Sequence, residues 1–142
     1  MNGHGWALAV EKLLKVPAPP RAEAIRVILS EFSRIMDHFV CIGTNVVDLG
    51  AITPFFWLFR VREEIYDLLD SCSGARLTVS YVRIGGLAND VPADFVDRCR
   101  TIMKSVADAT AQADKLLTRN SIFVRRFKDV GVMNAADALS YG

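Results

Sequence analysis

The sequence predicts a mainly α protein, an antiparallel helical bundle forming a single domain over residues 1–142, and three observations carry that expectation. Apolar residues recur at helical spacing through three long stretches. Hydrophobic types make up 51% of the 142 residues and charged types 23%, the balance of a chain that buries a sizeable core. Proline and glycine fall at the ends of the periodic stretches, where they stop helices.

The first element is Trp6 to Lys15, with apolar residues at 6, 7, 10, 13 and 14. It ends at Pro17-Ala18-Pro19-Pro20, a stiff linker that blocks helix. From Arg21 the period restarts, and Ile25, Ile28, Leu29, Phe32, Ile35, Met36, Phe39, Val40, Gly43, Val46, Val47 and Gly50 keep one stripe. That run of about thirty residues gives a helix of roughly 45 Å at about 1.5 Å per residue.

Thr53-Pro54 reads as an N-cap followed by proline in the first turn, and Ser73-Gly74 as a glycine stop, which places a third helix at about Pro54 to Cys72. Its Arg60 and Glu64 stand one turn apart as an exposed pair. Leu77 to Val82 alternates as an extended segment does and runs into a tight loop at Arg83-Ile84-Gly85-Gly86. After Asp90-Val91-Pro92 a fourth helical pattern continues to about Leu117, with Phe95, Val96, Cys99, Ile102, Met103, Val106, Thr110, Ala113 and Leu116 on its stripe. Two short helices finish the chain, one after Asn120 and one capped by Asn134, where Asp137 suits the positive end of the helix dipole.

Several function classes are excluded by composition. Lys and Arg number 17 against 16 Asp and Glu, a net charge of +1, which argues against a nucleic-acid partner because phosphate contacts need a basic excess on one face. The three cysteines, Cys41, Cys72 and Cys99, include no Cys-x-x-Cys pair, so they suit a reducing compartment and supply no ligand set for an iron–sulfur cluster or structural zinc. No apolar run reaches the ~18 to 20 residues of a membrane span, and Met1 to Gly5 is polar and glycine-rich rather than a signal sequence, so membrane contact is expected to be peripheral.

One stripe is chemically suggestive. His38, Cys41, Asn45 and Asp48, spaced by 3, 4 and 3 residues, share one side of the long helix beside its apolar face. A metal would need further ligands from other elements, so the expected reading is a polar seam between helices and no metal site. Asp48 stands one turn from the helix end, where an anion meets the negative end of the dipole and calls for a partner or a proton-handling task. There is no G-x-G-x-x-G, Walker loop, G-x-S-x-G elbow or H-E-x-x-H, and only two histidines, His4 and His38.

The wording of the chain adds a resemblance. Ala7-Leu8-Ala9-Val10-Glu11-Lys12-Leu13-Leu14, Pro20-Arg21-Ala22, Ile25-Arg26-Val27-Ile28, Ser30-Glu31-Phe32-Ser33-Arg34-Ile35, Asp48-Leu49-Gly50-Ala51-Ile52-Thr53-Pro54-Phe55-Phe56-Trp57-Leu58-Phe59-Arg60 and Ser73-Gly74-Ala75-Arg76 resemble the 49-kilodalton subunit of respiratory NADH:quinone oxidoreductase, complex I, in collinear order over essentially the whole sequence. The match covers the middle third or so of that family's length, so the resemblance implies the middle part of a longer subunit. It implies a bundle resembling the core of the nickel–iron hydrogenase large subunit, without the two Cys-x-x-Cys pairs that hold the hydrogenase metal.

The resemblance further implies a subunit that binds no cofactor itself, and that walls a chamber in which quinone is reduced by electrons from a 4Fe–4S cluster on a neighbouring subunit, coupled to proton translocation. NADH is used by other subunits of the complex. The family's helical acid, which pairs with a headgroup-binding histidine, matches Asp48. Thr44 and Phe56 match positions that line the quinone chamber, and Arg76 matches the arginine that approaches the cluster. Two positions depart from the pattern: Thr78 stands where many members have a cluster-bonded histidine, and the common Arg-Pro-Gly-Gly is Arg83-Ile84-Gly85-Gly86, similar to plastoquinone-using relatives. The implied partners are the other subunits of complex I, above all the cluster-bearing one, and quinone, with a peripheral place on the cytoplasmic side of a bacterial inner membrane. The alternative from another class is a non-catalytic helical interaction module derived from that subunit.

Overall fold

The apolar stripe that begins at Ile25 needs a partner surface, and the next helix supplies it by folding straight back. In the computed structural model, which describes residues 2–142, α1 spans Asn2–Leu14, α2 Pro20–Asp48, α3 Ile52–Ser73, α4 Phe95–Leu117, α5 Ser121–Phe127 and α6 Ala135–Tyr141. Strands β1 (Val82–Arg83) and β2 (Gly86–Leu87) form a two-stranded antiparallel ladder with Val82 opposite Leu87.

The central helix is α3, which packs against α2 on one side and α4 on the other. Ile25, Leu29, Phe32 and Met36 of α2 meet Ile65, Leu68, Leu69 and Cys72 of α3, together with Tyr81, Phe95 and Ile102. Toward the other end Phe39, Leu58, Val61, Ala109 and Ala113 form a second cluster. Early residues of α2 thus pair with late residues of α3, and late residues of α3 with early residues of α4, so each neighbouring pair is antiparallel. Each large side chain buried in this way contributes about 1.5–3 kcal/mol through the hydrophobic effect. At Gly43 a Cβ would stand 3.3 Å from the Phe55 ring, so the missing side chain is what lets α3 approach α2 near their shared turn.

Several local expectations hold: Gly74 caps α3 in the left-handed region at φ 74°, and the side chains of Asn120 and Asn134 accept backbone N–H bonds at the starts of α5 and α6. Others are corrected. Pro20 belongs to the first turn of α2 and not to the linker before it, since a proline in the first turn loses no helical hydrogen bond. Thr53 is not the N-cap of α3: helix begins at Ile52, and Ala51, the residue before it, makes no side-chain cap. The turn stays bonded through Leu49, Gly50 and Ala51, whose N–H groups donate to the carbonyls of Asn45, Val47 and Val46, so α3 starts earlier than a threonine cap would allow.

Leu77–Val82 is not a continuous strand, because Thr78 takes a left-handed conformation (φ 53°) and only Val82–Arg83 enters the ladder. Arg60 and Glu64 form no ion pair among the described residues, and the carboxylates of α3 that do pair are Glu63 and Asp67. On α1 most of the apolar period is not buried: Trp6, Leu13 and Leu14 are exposed, Ala7 is the buried member of the stripe, and the other buried residue is Glu11. Among the described residues no helix is long and apolar enough to cross a membrane.

Candidate functional site

A cleft of about 650 Å³ opens where the start of α1, the first half of α2 and the segment after α3 come together. Arg26, Arg62, Arg76, Thr78 and Arg83 all line it, so three residues singled out in the sequence, Arg76, Thr78 and Arg83, share one surface.

Arg76 lies two residues beyond the glycine that ends α3 and folds back along that helix. Its Nη1 donates to Asp67 Oδ1 at 2.7 Å, its Nη2 donates to Glu63, and the guanidinium stacks 5.3 Å from the Tyr66 ring centre. Burial would lower its pKa, but the hydrogen bonds it donates to Asp67 and Glu63 and their charges hold it above the ordinary arginine value, so it is a fixed cation. Thr78 is exposed, and its hydroxyl donates to the Leu77 carbonyl at 2.7 Å. A β-branched residue with positive φ costs about 1–3 kcal/mol and persists where neighbouring structure imposes it. Arg83 donates from Nη1 to Ser80 Oγ at 2.8 Å.

Three further polar groups shape the cleft. Arg26 has a fully buried side chain, ion-paired with Glu11 at 2.6 Å. Arg62 lies between the rings of Phe59 and Tyr66, 5.2 and 5.0 Å from their centres, with a buried Nε that has no hydrogen-bond partner. His4 Nδ1 is 2.9 Å from Ser30 Oγ; burial first, and then the Arg26 charge, push the pKa of this histidine below its usual 6.5.

Asp48, Thr44 and Phe56 are not in this cleft. They sit at the closed end of the α2–α3 hairpin, Thr44 and Asp48 in the last turns of α2 and Phe56 in the first turns of α3, and all three are exposed. The Thr44 hydroxyl donates to the Val40 carbonyl at 2.8 Å, and the Phe56 ring meets Phe55 edge-on at 5.6 Å. Asp48 has no hydrogen-bond or ion-pair partner among the described residues. The cation at this helix end is instead Arg126 of α5, whose guanidinium donates to the Leu49 carbonyl. From Asp37 on the cleft to Asp48 is eleven residues of α2, about 16 Å at the helical rise.

The stripe of His38, Cys41, Asn45 and Asp48 faces solvent rather than forming a seam between helices. Asn45 Nδ2 donates to the Cys41 carbonyl at 2.6 Å. No cluster of three or more His, Cys, Asp or Glu arranged to hold a metal occurs among the described residues. Of three cysteines expected to serve as small buried residues, Cys72 and Cys99 have thiol pKa values raised by burial, whereas Cys41 is exposed on the solvent side of α2.

Glu11, Arg26 and Arg62 escaped the sequence reading. Arg26 left a signal, since it is a charge set between Ile25 and Leu29 on the buried stripe of α2.

Comparison with known proteins gives concordant matches. Residues 48–142 match the family described as respiratory-chain NADH dehydrogenase, 49 Kd subunit. The sequence is 46% identical over 142 residues to the C/D-type NADH-quinone oxidoreductase subunit of Bdellovibrio bacteriovorus, covering all of this chain and 25% of that protein. It is 50% identical over 137 residues to the D-type NADH-quinone oxidoreductase subunit of Chlorobium luteolum, covering 96% of this chain and 35% of the relative. To the D-type subunit of Syntrophobacter fumaroxidans it is 46% identical over 139 residues, covering 98% and 37%. The chain therefore spans a quarter to somewhat over a third of the length of these relatives.

Proposed function

Because the chain belongs to the 49-kilodalton subunit family of respiratory-chain NADH dehydrogenase, we propose that it is the central helical part of such a subunit and walls the chamber in which a NADH:quinone oxidoreductase complex reduces quinone. In this reading the cleft with Arg76, Thr78 and Arg83 faces a neighbouring subunit that carries a 4Fe–4S cluster, and the closed end of the α2–α3 hairpin borders the quinone. The bundle is of the kind at the core of the nickel–iron hydrogenase large subunit, and the protein works as a peripheral part of the complex on the cytoplasmic side of a bacterial inner membrane, coupled to proton translocation.

The observation that carries this reading is the grouping of the six singled-out residues into two places at opposite ends of the α2–α3 hairpin. Arg76, Thr78 and Arg83 share the cleft, while Thr44, Asp48 and Phe56 share the hairpin end. A cluster ligated by thiolates is anionic, and guanidinium groups at its side favour the reduced state by Coulomb attraction. Quinone reduction consumes two electrons and two protons, and a carboxylate at the chamber wall holds a neighbouring imidazole in its charged form by an attraction of about 1–4 kcal/mol at ~4 Å for effective dielectric constants from 80 down to 20. Asp48, exposed and without an internal partner, is free to do so. Thr44 and Phe56 contribute shape, a small polar side chain and an aromatic face beside a flat ring.

The groove between α2 and α4 fits the same reading. It holds about 580 Å³ and is lined by Val27, Ile28, Ile35, Val96, Cys99 and Met103, an apolar surface for further parts of such a subunit to cover. Thr44→Trp in the complete subunit tests the proposal. A bulky ring at the hairpin end is expected to abolish quinone reduction while NADH oxidation by an artificial acceptor continues, and undiminished quinone reduction would contradict the placement of the chamber.

A further inference from the structure

The buried guanidinium of Arg26 makes five hydrogen bonds, three of them to one short turn. Nη1 donates to Glu11 Oε2 at 3.0 Å and Nη2 to Glu11 Oε1 at 2.6 Å, a two-point ion pair between α1 and α2. Nη2 also donates to the Arg83 carbonyl at 2.7 Å and to the Gly86 carbonyl at 2.8 Å, and Nε to the Gly86 carbonyl at 3.2 Å. From the opposite side Glu11 Oε1 accepts from the Gly85 N–H at 2.7 Å. Two backbone carbonyls and one N–H of the Arg83–Gly86 turn are thus held by two buried side chains from other elements.

We propose that Glu11 and Arg26 are positioning residues of the cleft, which fix the Arg83–Gly86 turn and through it set where the Arg83 side chain stands. Tyr81 and Leu87 anchor the flanks of the turn on the core, but its tip has little else to hold it. Its ladder is two residues long on each side, and a two-stranded hairpin of that size is not stable by itself in water. Ile84 is exposed and Gly85 has no side chain, so apolar packing does not anchor the tip. Arg83 is the charged side chain that the turn carries into the cleft, beside Ile84, and its side-chain hydrogen-bond partner among the described residues, Ser80, lies on the same loop. With the pair broken, loop and arginine move together. Arg26 also lines the cleft, but its side chain is fully buried and its Nε and Nη2 are committed to Glu11 and the turn.

Part of the test rests on the functional reading above and part does not. In the assembled complex with the complete subunit, Arg26→Lys keeps the charge yet cannot reproduce the fork that reaches both carboxylate oxygens and both carbonyls. Hydrogen exchange of amides 83–87 is expected to quicken about tenfold while those of α2, α3 and α4 are unchanged, the response to losing local bonds and not global stability. Glu11→Gln, a milder change, is expected to do the same to a smaller degree. The midpoint potential of the neighbouring cluster in Arg26→Lys is expected to move in the direction found for Arg83→Gln.

Unchanged exchange in the turn would overturn the proposal. So would equal acceleration in the three long helices, or failure of both variants to assemble, because the pair would then be a general stabiliser. A potential that shifts in Arg83→Gln but not in Arg26→Lys would also overturn it. If Arg83→Gln leaves the potential unchanged, the functional reading of the cleft fails, and the exchange data alone decide for or against the positioning role.

Discussion

Arg126 of α5 reaches the Leu49 carbonyl at the carboxyl end of α2, and it does so across Gly50, where a Cβ would stand 3.1 Å from its Nη1. Gly50 is also left-handed, with φ 87°. One glycine therefore serves the turn between α2 and α3 and the contact that ties the otherwise unburied α5 to the bundle. The bond places a cation against the negative end of the α2 dipole, one residue from Asp48, and offsets part of the cost of an anion there.

Gly50→Ala is expected to destabilise the complete subunit by about 1–2 kcal/mol through the left-handed backbone, with a further loss as Arg126 is displaced. Thermal or denaturant unfolding measures it. Arg126→Ala should cost less, because it removes the contact without straining the turn, and the reverse order would contradict this account of Gly50.

Much of this arrangement was legible in the sequence, and the parts that were not share a physical reason. The stripe from Ile25 to Val46 is visible because periodic burial writes a periodic pattern, and Pro20 and Gly74 mark ends because their backbones permit little else. Thr53 misled because the hydrogen bonds of the preceding turn, not a side chain, start α3. The alternation of Leu77 to Val82 misled because the left-handed Thr78 breaks the strand that alternation suggests. On α1 the apolar residues had the right period, but the helix is fixed by Glu11, and a pairing between residues 15 apart on different elements leaves no periodic trace. At the site, Arg76, Thr78 and Arg83 are near one another in sequence and remain so in space. The separation of Asp48, Thr44 and Phe56 from them follows from the length of α2, whereas Arg126, Glu11 and Arg26 become visible only once the helices are packed.

Acid should loosen the Arg83–Gly86 turn before it unfolds the bundle. The Arg26 hydrogen bonds, and then the bond from the Gly85 N–H, hold the Glu11 pKa below its ordinary 4.5. A lowered pKa in the folded state means that the contribution of Glu11 to stability is fully present above about 4.5 and is lost as pH falls through the lower folded value. Stability measured against pH should therefore fall on the acid side more gently in Glu11→Gln than in the natural sequence. Parallel acid limbs would contradict the assignment.

If the cleft faces a 4Fe–4S cluster as proposed, then with threonine at position 78 that cluster should have a midpoint potential that varies little with pH at and above neutrality, since threonine does not titrate. His4 lines the same cleft, but burial and Arg26 push its pKa below 6.5, so its proton exchange falls on the acid side of neutrality. A redox titration between pH 7 and 8 with a slope near one proton per electron, about 59 mV per unit, would contradict this.

The central claim is that the closed end of the α2–α3 hairpin borders the quinone chamber and that Asp48 acts there by its charge. Asp48→Asn keeps size and hydrogen-bonding capacity while removing that charge, and the exposed side chain makes no internal bond whose loss would disturb the fold. The decisive measurement is quinone reduction beside NADH oxidation by an artificial acceptor, in complexes assembled with the complete Asp48→Asn subunit. The expected result is normal assembly, normal oxidation of NADH by the artificial acceptor and strongly reduced quinone reduction, whereas unchanged quinone reduction, or equal loss of both activities, would contradict the account.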